Sequence, residues 1–168
     1  MSTSRLGAQL VHVDVITSLA ARALPGDDLP DWADEPTGPG ELPVEVTLRN
    51  WRESHVMAVF KISKSRAETP SAPAIAVMVT LGALYRVAAF PPTGALPMDA
   101  DDVVDRLPEP SALILAKTAL SDAAPFARQA VHTASATVDP LHPLFITGFG
   151  LADHPIFPLD LESSTPED

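Results

Sequence analysis

The 168-residue sequence predicts a single α+β domain: a four-stranded antiparallel sheet with a long helix packed on one side. Three observations support this fold class. Four runs of alternating apolar residues precede an alanine-rich segment that favours helix. Most connections between the runs are short enough for antiparallel neighbours. The 18 prolines avoid the runs and cluster between them, which marks the loops because proline removes a backbone donor.

The first strand is predicted over residues 8–20, where valines at every second position give the strand one apolar face. Residues 1–7 before it are expected to be flexible. Residues 24–43 then form a long loop rich in proline, glycine and acidic side chains, in which Leu29 and Trp32 are the apolar residues that need a role.

Three further strands are predicted over residues 44–49, 56–62 and 75–87. Gly82, in the middle of the last strand, indicates a bulge or a bend. Pro125 is expected to divide the alanine-rich segment into a short helix over 112–120, capped by Ser111, and a longer helix that begins at the proline. The domain is expected to end at residue 161 after an irregular Pro- and Phe-rich segment. Residues 162–168 are expected to form a disordered acidic tail.

The composition excludes several classes of protein. The net charge of −11 repels phosphate backbones, so nucleic acid is not an expected partner. The chain has no cysteine, which excludes disulfides and thiolate metal sites and is compatible with the cytoplasm. The apolar run of residues 72–90 is better explained as a buried strand than as a membrane span, because it is short and contains Arg86. No signal peptide is evident at the N-terminus.

No catalytic or metal-binding signature stands out in the sequence. The five histidines lack the spacing of helical zinc motifs, and the acidic stretch of residues 99–105 lacks the glycine that a calcium loop requires. Residues 148–150, Gly-Phe-Gly, are too short for a phosphate-binding loop. Paired carboxylates for acid–base catalysis stay open, because spatial pairs cannot be read from a sequence. We expect a protein that is not an enzyme and that needs no metal or cofactor.

Several segments of the chain resemble motifs of one known protein family. Residues 124–131 read Ala-Pro-Phe-Ala-Arg-Gln-Ala-Val and resemble the Phe-Pro-Tyr-Ala-Arg-Glu motif that opens the family's long helix. Residues 139–149 are similar to the Pro-x-Leu-x-Leu-x-Pro-x-Asn-Phe run that follows this helix. Residues 77–85 are similar to the family's last strand, which has a glycine at its centre. The long loop carries Trp32 before a strand that begins Pro-Val-Glu-Val, as the family's crossover loop does. The sequence therefore resembles the SecB family of protein-export chaperones, and the resemblance covers residues 9–153.

The resemblance implies an ATP-independent holdase that binds unfolded or non-native polypeptides, with delivery to the export machinery as a further role. A holdase needs apolar side chains that stay accessible, and irregular, proline-stiffened backbone can hold them apart from a core. Such backbone contains the residues expected to bind peptide: Leu29, Trp32, Leu144, Phe145, Phe149 and Leu151. The alternative is that these side chains cover the edges of the sheet.

Expectations about partners follow from the same resemblance. The small-residue stripe of the helix is expected to pack on the sheet or between subunits of a dimer of dimers, through Phe126, Ala127, Ala130, Val131 and Ala134. The family's acidic sheet surface docks the motor protein SecA, and here Asp14 and Glu45 lie on candidate strands. The second hypothesis is a non-catalytic binding protein dedicated to one specific partner, such as an antitoxin.

Overall fold

The computed structural model describes residues 5–33, 41–51, 55–90, 104, 107 and 109–152. Within these residues the chain forms five strands and one long helix. In chain order they are β1 (Arg5–Arg22), β2 (Glu41–Asn50), β3 (His55–Arg66), β4 (Ile75–Phe90), α1 (Glu109–Val138) and β5 (Gly148–Leu151). The described helix is not long and apolar enough to cross a membrane. The predicted tail over 162–168 lies outside the described residues.

The sheet has the strand order β1-β4-β3-β2-β5. The first four strands pair antiparallel, as predicted, but β5 pairs parallel to β2. The α+β class is therefore confirmed, whereas the prediction of four purely antiparallel strands is wrong. The sequence does not reveal β5 because it has only four residues and two of them, Gly148 and Gly150, contribute no side-chain pattern.

One uninterrupted helix replaces the two that were predicted on either side of Pro125. Pro125 itself is exposed, while buried residues continue along one face of the helix before and after it. Packing of this continuous face offsets the hydrogen bond that an interior proline removes. The helix also begins at Glu109, so Ser111 lies inside its first turn instead of capping it.

The core lies between α1 and one face of the sheet. Every second residue from Leu42 to Leu48 in β2 and from Val56 to Ile62 in β3 is buried there, as their alternation predicts. Tyr85 of β4 is fully buried and its hydroxyl donates a 2.7 Å hydrogen bond to the carboxylate of Asp122 on α1. Burial, with the hydrogen bond and negative charge of Asp122, raises the pKa of Tyr85 above its ordinary value. The odd-numbered residues of β4 therefore face the helix.

Strand β1 forms one edge of the sheet and begins at Arg5, before the predicted start at residue 8. Its register with β4 shifts twice, between Leu10 and His12 and between Val15 and Thr17. The irregularities thus belong to β1 and not to Gly82, whose pairing is regular on both sides. A Cβ atom at Gly82 would come within 3.0 Å of the Ile16 side chain, so the glycine makes room for that residue.

Candidate functional site

The segment that follows α1 is held against the sheet by Arg66 at the end of β3. Its guanidinium donates hydrogen bonds to the Asp139 carboxylate at 2.7 Å and to the carbonyl oxygens of His142 at 2.6 Å and Pro73 at 3.1 Å. Burial by itself would raise the pKa of Asp139. The hydrogen bond from Arg66 and the positive charges of His142 and Arg66 outweigh it, so this pKa lies below its usual range.

A second contact secures the same segment to the helix end. The hydroxyl of Ser135 donates a 3.0 Å hydrogen bond to the carbonyl of His132. The same hydroxyl accepts a 2.8 Å hydrogen bond from the backbone amide of Leu144. Leu144 and Ile146 consequently lie in the core. These contacts direct the chain into β5, beside β2.

A groove of about 410 Å³ lies between α1 and β5; we call it the α1–β5 groove. Its lining combines apolar side chains with two cations and consists of Lys117, Leu120, Ser121, Ala124, Arg128, Gly148, Phe149 and Leu151. The Arg128 guanidinium lies 5.6 Å from the centroid of the Phe149 ring and donates a 3.3 Å hydrogen bond to the carbonyl of Thr147. The groove can therefore bind both apolar and anionic groups.

The structure brings two of the six predicted peptide-binding residues together. Phe149 and Leu151 are half-buried and both line the α1–β5 groove. Phe145 is 65% exposed outside it, with its ring 4.8 Å from that of His132. The remaining three do not line this groove: Leu144 is buried in the core, and Leu29 and Trp32 are half-buried in the loop after β1.

A larger groove of about 640 Å³ lies between β1 and α1; we call it the β1–α1 groove. Among the residues that the structure describes, its lining carries no charged side chain and includes Val15, Ser18, Ala20, Phe126, Gln129, Ala130, Thr133, Ala134 and Thr137. The five residues of the predicted small-residue stripe on the helix do not all have the same surroundings. Ala127 and Val131 are buried in the core, whereas Phe126 and Ala130 line this groove together with Ala134.

Strand β1 adds apolar surface that the sequence analysis did not single out. Its exposed large side chains are Leu10, Val11, Val15, Ile16 and Leu19. Since β1 is an edge strand, its outer backbone groups have no partner strand among the described elements. A long apolar edge is a typical site of association between chains. The signal in the sequence is the run of apolar residues on both faces of one strand.

The described side chains on the side of the sheet that faces away from α1, here called the open face, do not concentrate acidic charge. Cross-strand pairing places Asp14 and Glu45 on it, but a nitrogen of His12 lies 2.8 Å from the Asp14 carboxylate, and Lys61 lies directly opposite Glu45. Two more cations, Arg49 and Arg86, share this face. Among the described residues, no group of three or more histidine, aspartate or glutamate side chains is arranged to hold a metal ion.

Comparison with solved structures finds chains of similar fold. One of them is the Mycobacterium tuberculosis Rv1957 SecB-like chaperone in complex with a ChAD peptide from the Rv1956 HigA1 antitoxin. The two chains share 11% sequence identity, and the match covers 85% of this chain and 91% of that one with a TM-score of 0.47. No protein-family model and no curated protein matches the sequence.

Proposed function

We propose that this chain is an ATP-independent holdase chaperone that binds unfolded or non-native polypeptides. The observation that carries the proposal is the α1–β5 groove, which holds Phe149 and Leu151 in a half-buried, accessible position. Both residues belong to the set that the sequence motifs pointed to. Ligand sites of this kind are concave and mostly apolar, with a few polar groups that orient the ligand.

The charge of the chain is consistent with this role. A net charge of −11 keeps molecules with exposed apolar grooves apart in solution. Clients in this mechanism dock apolar side chains in the groove and are released without chemistry. The residues proposed to contact them first are Phe149 and Leu151, with Phe145 and Trp32 as further contacts.

We also propose that the chain self-associates, as a homotetramer built from two dimers, through the β1–α1 groove and the exposed edge of β1. The described lining of this groove is uncharged, and the groove lies directly beside β1, whose described residues include five exposed large apolar side chains. Apolar patches of this kind on a folded chain mark association surfaces. In this arrangement Phe126 and Ala130 contact the partner, while Ala127 and Val131 stay within one subunit.

Suppression of aggregation tests the chaperone role. The purified chain is mixed at stoichiometric concentration, without nucleotide, with a chemically denatured client that is then diluted into buffer, and light scattering is followed. We expect the wild type to suppress scattering and Leu151→Ser to lose much of this effect. Leu141→Ser is the matched control, because Leu141 is 83% exposed and lies outside the groove. Unchanged client aggregation with the wild type, together with unaltered client binding by Trp32→Ala, would overturn the proposal.

The alternative is a binding protein dedicated to one partner, such as an antitoxin. The pair of cations in the α1–β5 groove favours it, because fixed charges restrict the sequences that bind well. A pull-down from cell extract separates the two functions. A single dominant small partner would support the dedicated role, whereas a broad set of unfolded clients would support the general chaperone.

The charged side chains on the open face of the sheet do not support delivery of clients to SecA. In the family this contact uses an acidic sheet surface, whereas the described side chains of the open face here include Arg49, Lys61 and Arg86. We therefore restrict the proposal to polypeptide binding and self-association.

A further inference from the structure

We propose that the α1–β5 groove binds an extended acidic segment of a partner polypeptide, which adds to β5 as a sixth strand of the sheet. The segment carries two carboxylates four residues apart with an apolar residue midway between them. This inference rests on the proposed function and specifies the chemistry of the polypeptide that is bound.

The backbone of β5 offers hydrogen-bonding groups on its outer side. The amide of Ala152, which directly follows the strand, donates to the carbonyl of Val44 on β2 at 3.0 Å. Because successive residues of a strand point their backbone groups in opposite directions, the groups of Gly148 and Gly150 also point toward β2. Those of Phe149 and Leu151 point away from it. Among the described elements β5 is the edge of the sheet, so these groups are available to an added strand.

The side chains of the same two residues face the groove. In the register between the strands, Phe149 lies beside Leu42 and Leu151 beside Val44, and both β2 residues are buried on the helix side of the sheet. A strand added outside β5 would therefore direct every second side chain toward α1, over the groove. Its other side chains would point to the open face of the sheet.

The two cations define the length and charge of the segment. Lys117, Leu120, Ala124 and Arg128 fall on one stripe of α1. The two cations are eleven positions apart in sequence, which corresponds to about 16 Å along the helix. An extended chain advances about 3.3 Å per residue, so its first and fifth residues lie about 13 Å apart. The long side chains of the two cations can cover the remaining difference of about 3 Å. Carboxylates at the first and fifth positions point to the same side of the strand. The third position then lies over the apolar centre of the groove.

Charge complementarity selects an acidic partner. Neither Lys117 nor Arg128 forms an ion pair with a carboxylate among the described residues, although the chain as a whole carries 22 acidic side chains. Arg128 is oriented by the ring of Phe149 and the carbonyl of Thr147, which leaves further guanidinium donors for a carboxylate. A lysine-containing segment would be repelled at both ends of the groove.

The test uses a fluorescein-labelled peptide with the central sequence Asp-Thr-Leu-Thr-Asp and a matched peptide with lysine in place of both aspartates. Fluorescence anisotropy with the full chain is expected to give tighter binding of the acidic peptide. The double variant Lys117→Gln/Arg128→Gln should weaken that binding about tenfold, since each exposed ion pair is worth about threefold. The control Lys61→Gln/Arg86→Gln removes the same charge from the open face and should leave the affinity within about twofold. Lys117→Gln alone, which leaves the contacts of Arg128 intact, should weaken binding about threefold.

Alternate N-methylation of the peptide tests the added strand itself. One version is methylated at the amides of the Asp and Leu positions and the other at the two Thr positions. Only one set of amides can face β5, so one version should lose binding and the other should keep it. Equal binding by both versions would overturn the strand-addition geometry.

Three further outcomes would contradict the inference. The first is equal affinity for the acidic and lysine peptides. The second is an equal loss of affinity for the acidic peptide in the groove double variant and the control double variant. The third is a large gain in affinity for the acidic peptide when residues 153–168 are deleted. The last result would identify the chain's own C-terminal segment as the occupant. If the wild type still suppresses client aggregation while any of these is observed, the inference fails and the proposed chaperone function stands. If aggregation is not suppressed, the function itself fails.

Discussion

Replacing Phe126 with serine is expected to weaken self-association through the β1–α1 groove. The Phe126 side chain is 45% exposed beside Val15 and Ala130. An aromatic side chain can bury about 200 Å², so about 90 Å² remains for a partner, worth about 2 kcal/mol. A contact with twofold symmetry buries this side chain once in each subunit, so the binding free energy lost is at most about 4 kcal/mol. It is an upper bound because association also costs entropy. Even a third of this corresponds to about a tenfold increase in Kd.

Sedimentation equilibrium over a series of protein concentrations measures this change. The wild type should have a mass that is a multiple of the 17.8 kDa chain, and Phe126→Ser should dissociate at higher concentration. Phe145→Ser is the matched control, since Phe145 is exposed but lies outside the groove. A wild type that stays monomeric throughout would refute the reasoning, as would equal dissociation of the two variants.

Three predictions concern stability. Asp139→Asn should be less stable than the wild type at neutral pH, and its stability should depend less on acid. The reason is that Arg66 holds the pKa of Asp139 low, so the ion pair stabilises the fold above the usual carboxyl pKa. This stabilisation is lost as the pH falls through the folded-state pKa of Asp139. Urea midpoints across pH check this, and parallel acid profiles would contradict it. Tyr85→Phe should lower the unfolding free energy by about 1.5–3 kcal/mol, because it removes the hydrogen bond to the Asp122 carboxylate; wild-type stability would refute this. Pro125→Ala should raise the unfolding free energy by about 1–3 kcal/mol by restoring a helix hydrogen bond, and a lower Tm would argue against an uninterrupted α1.

The sheet could be predicted where alternation is strict. The buried positions of β2 and β3 follow directly from their apolar residues at every second position. Strand β5 could not be predicted, because a four-residue strand with two glycines is stabilised by its pairing with β2 and not by its own pattern. The predicted break in the helix at Pro125 was wrong for a related reason. Tertiary packing, which the local sequence does not show, outweighs the free-energy cost of a proline inside a helix.

The candidate site was predictable in part. Phe149 and Leu151 were expected to be accessible and do line a groove, but Leu144 is drawn into the core by its backbone bond to Ser135. Only the tertiary structure shows which residue of an irregular segment faces inward. The pairing of Arg128 with Phe149 across 21 residues of sequence is a contact of the same kind.

Binding of a permanently unfolded protein would show whether the chain recognises non-native polypeptides. A reduced and alkylated protein that cannot refold is titrated into the full chain without nucleotide by isothermal calorimetry, and its native, disulfide-bonded form is titrated in parallel. We expect saturable binding of the unfolded form, weakened by Leu151→Ser, and no binding of the native form. No binding of the unfolded protein, or equal binding of both forms, would contradict the account.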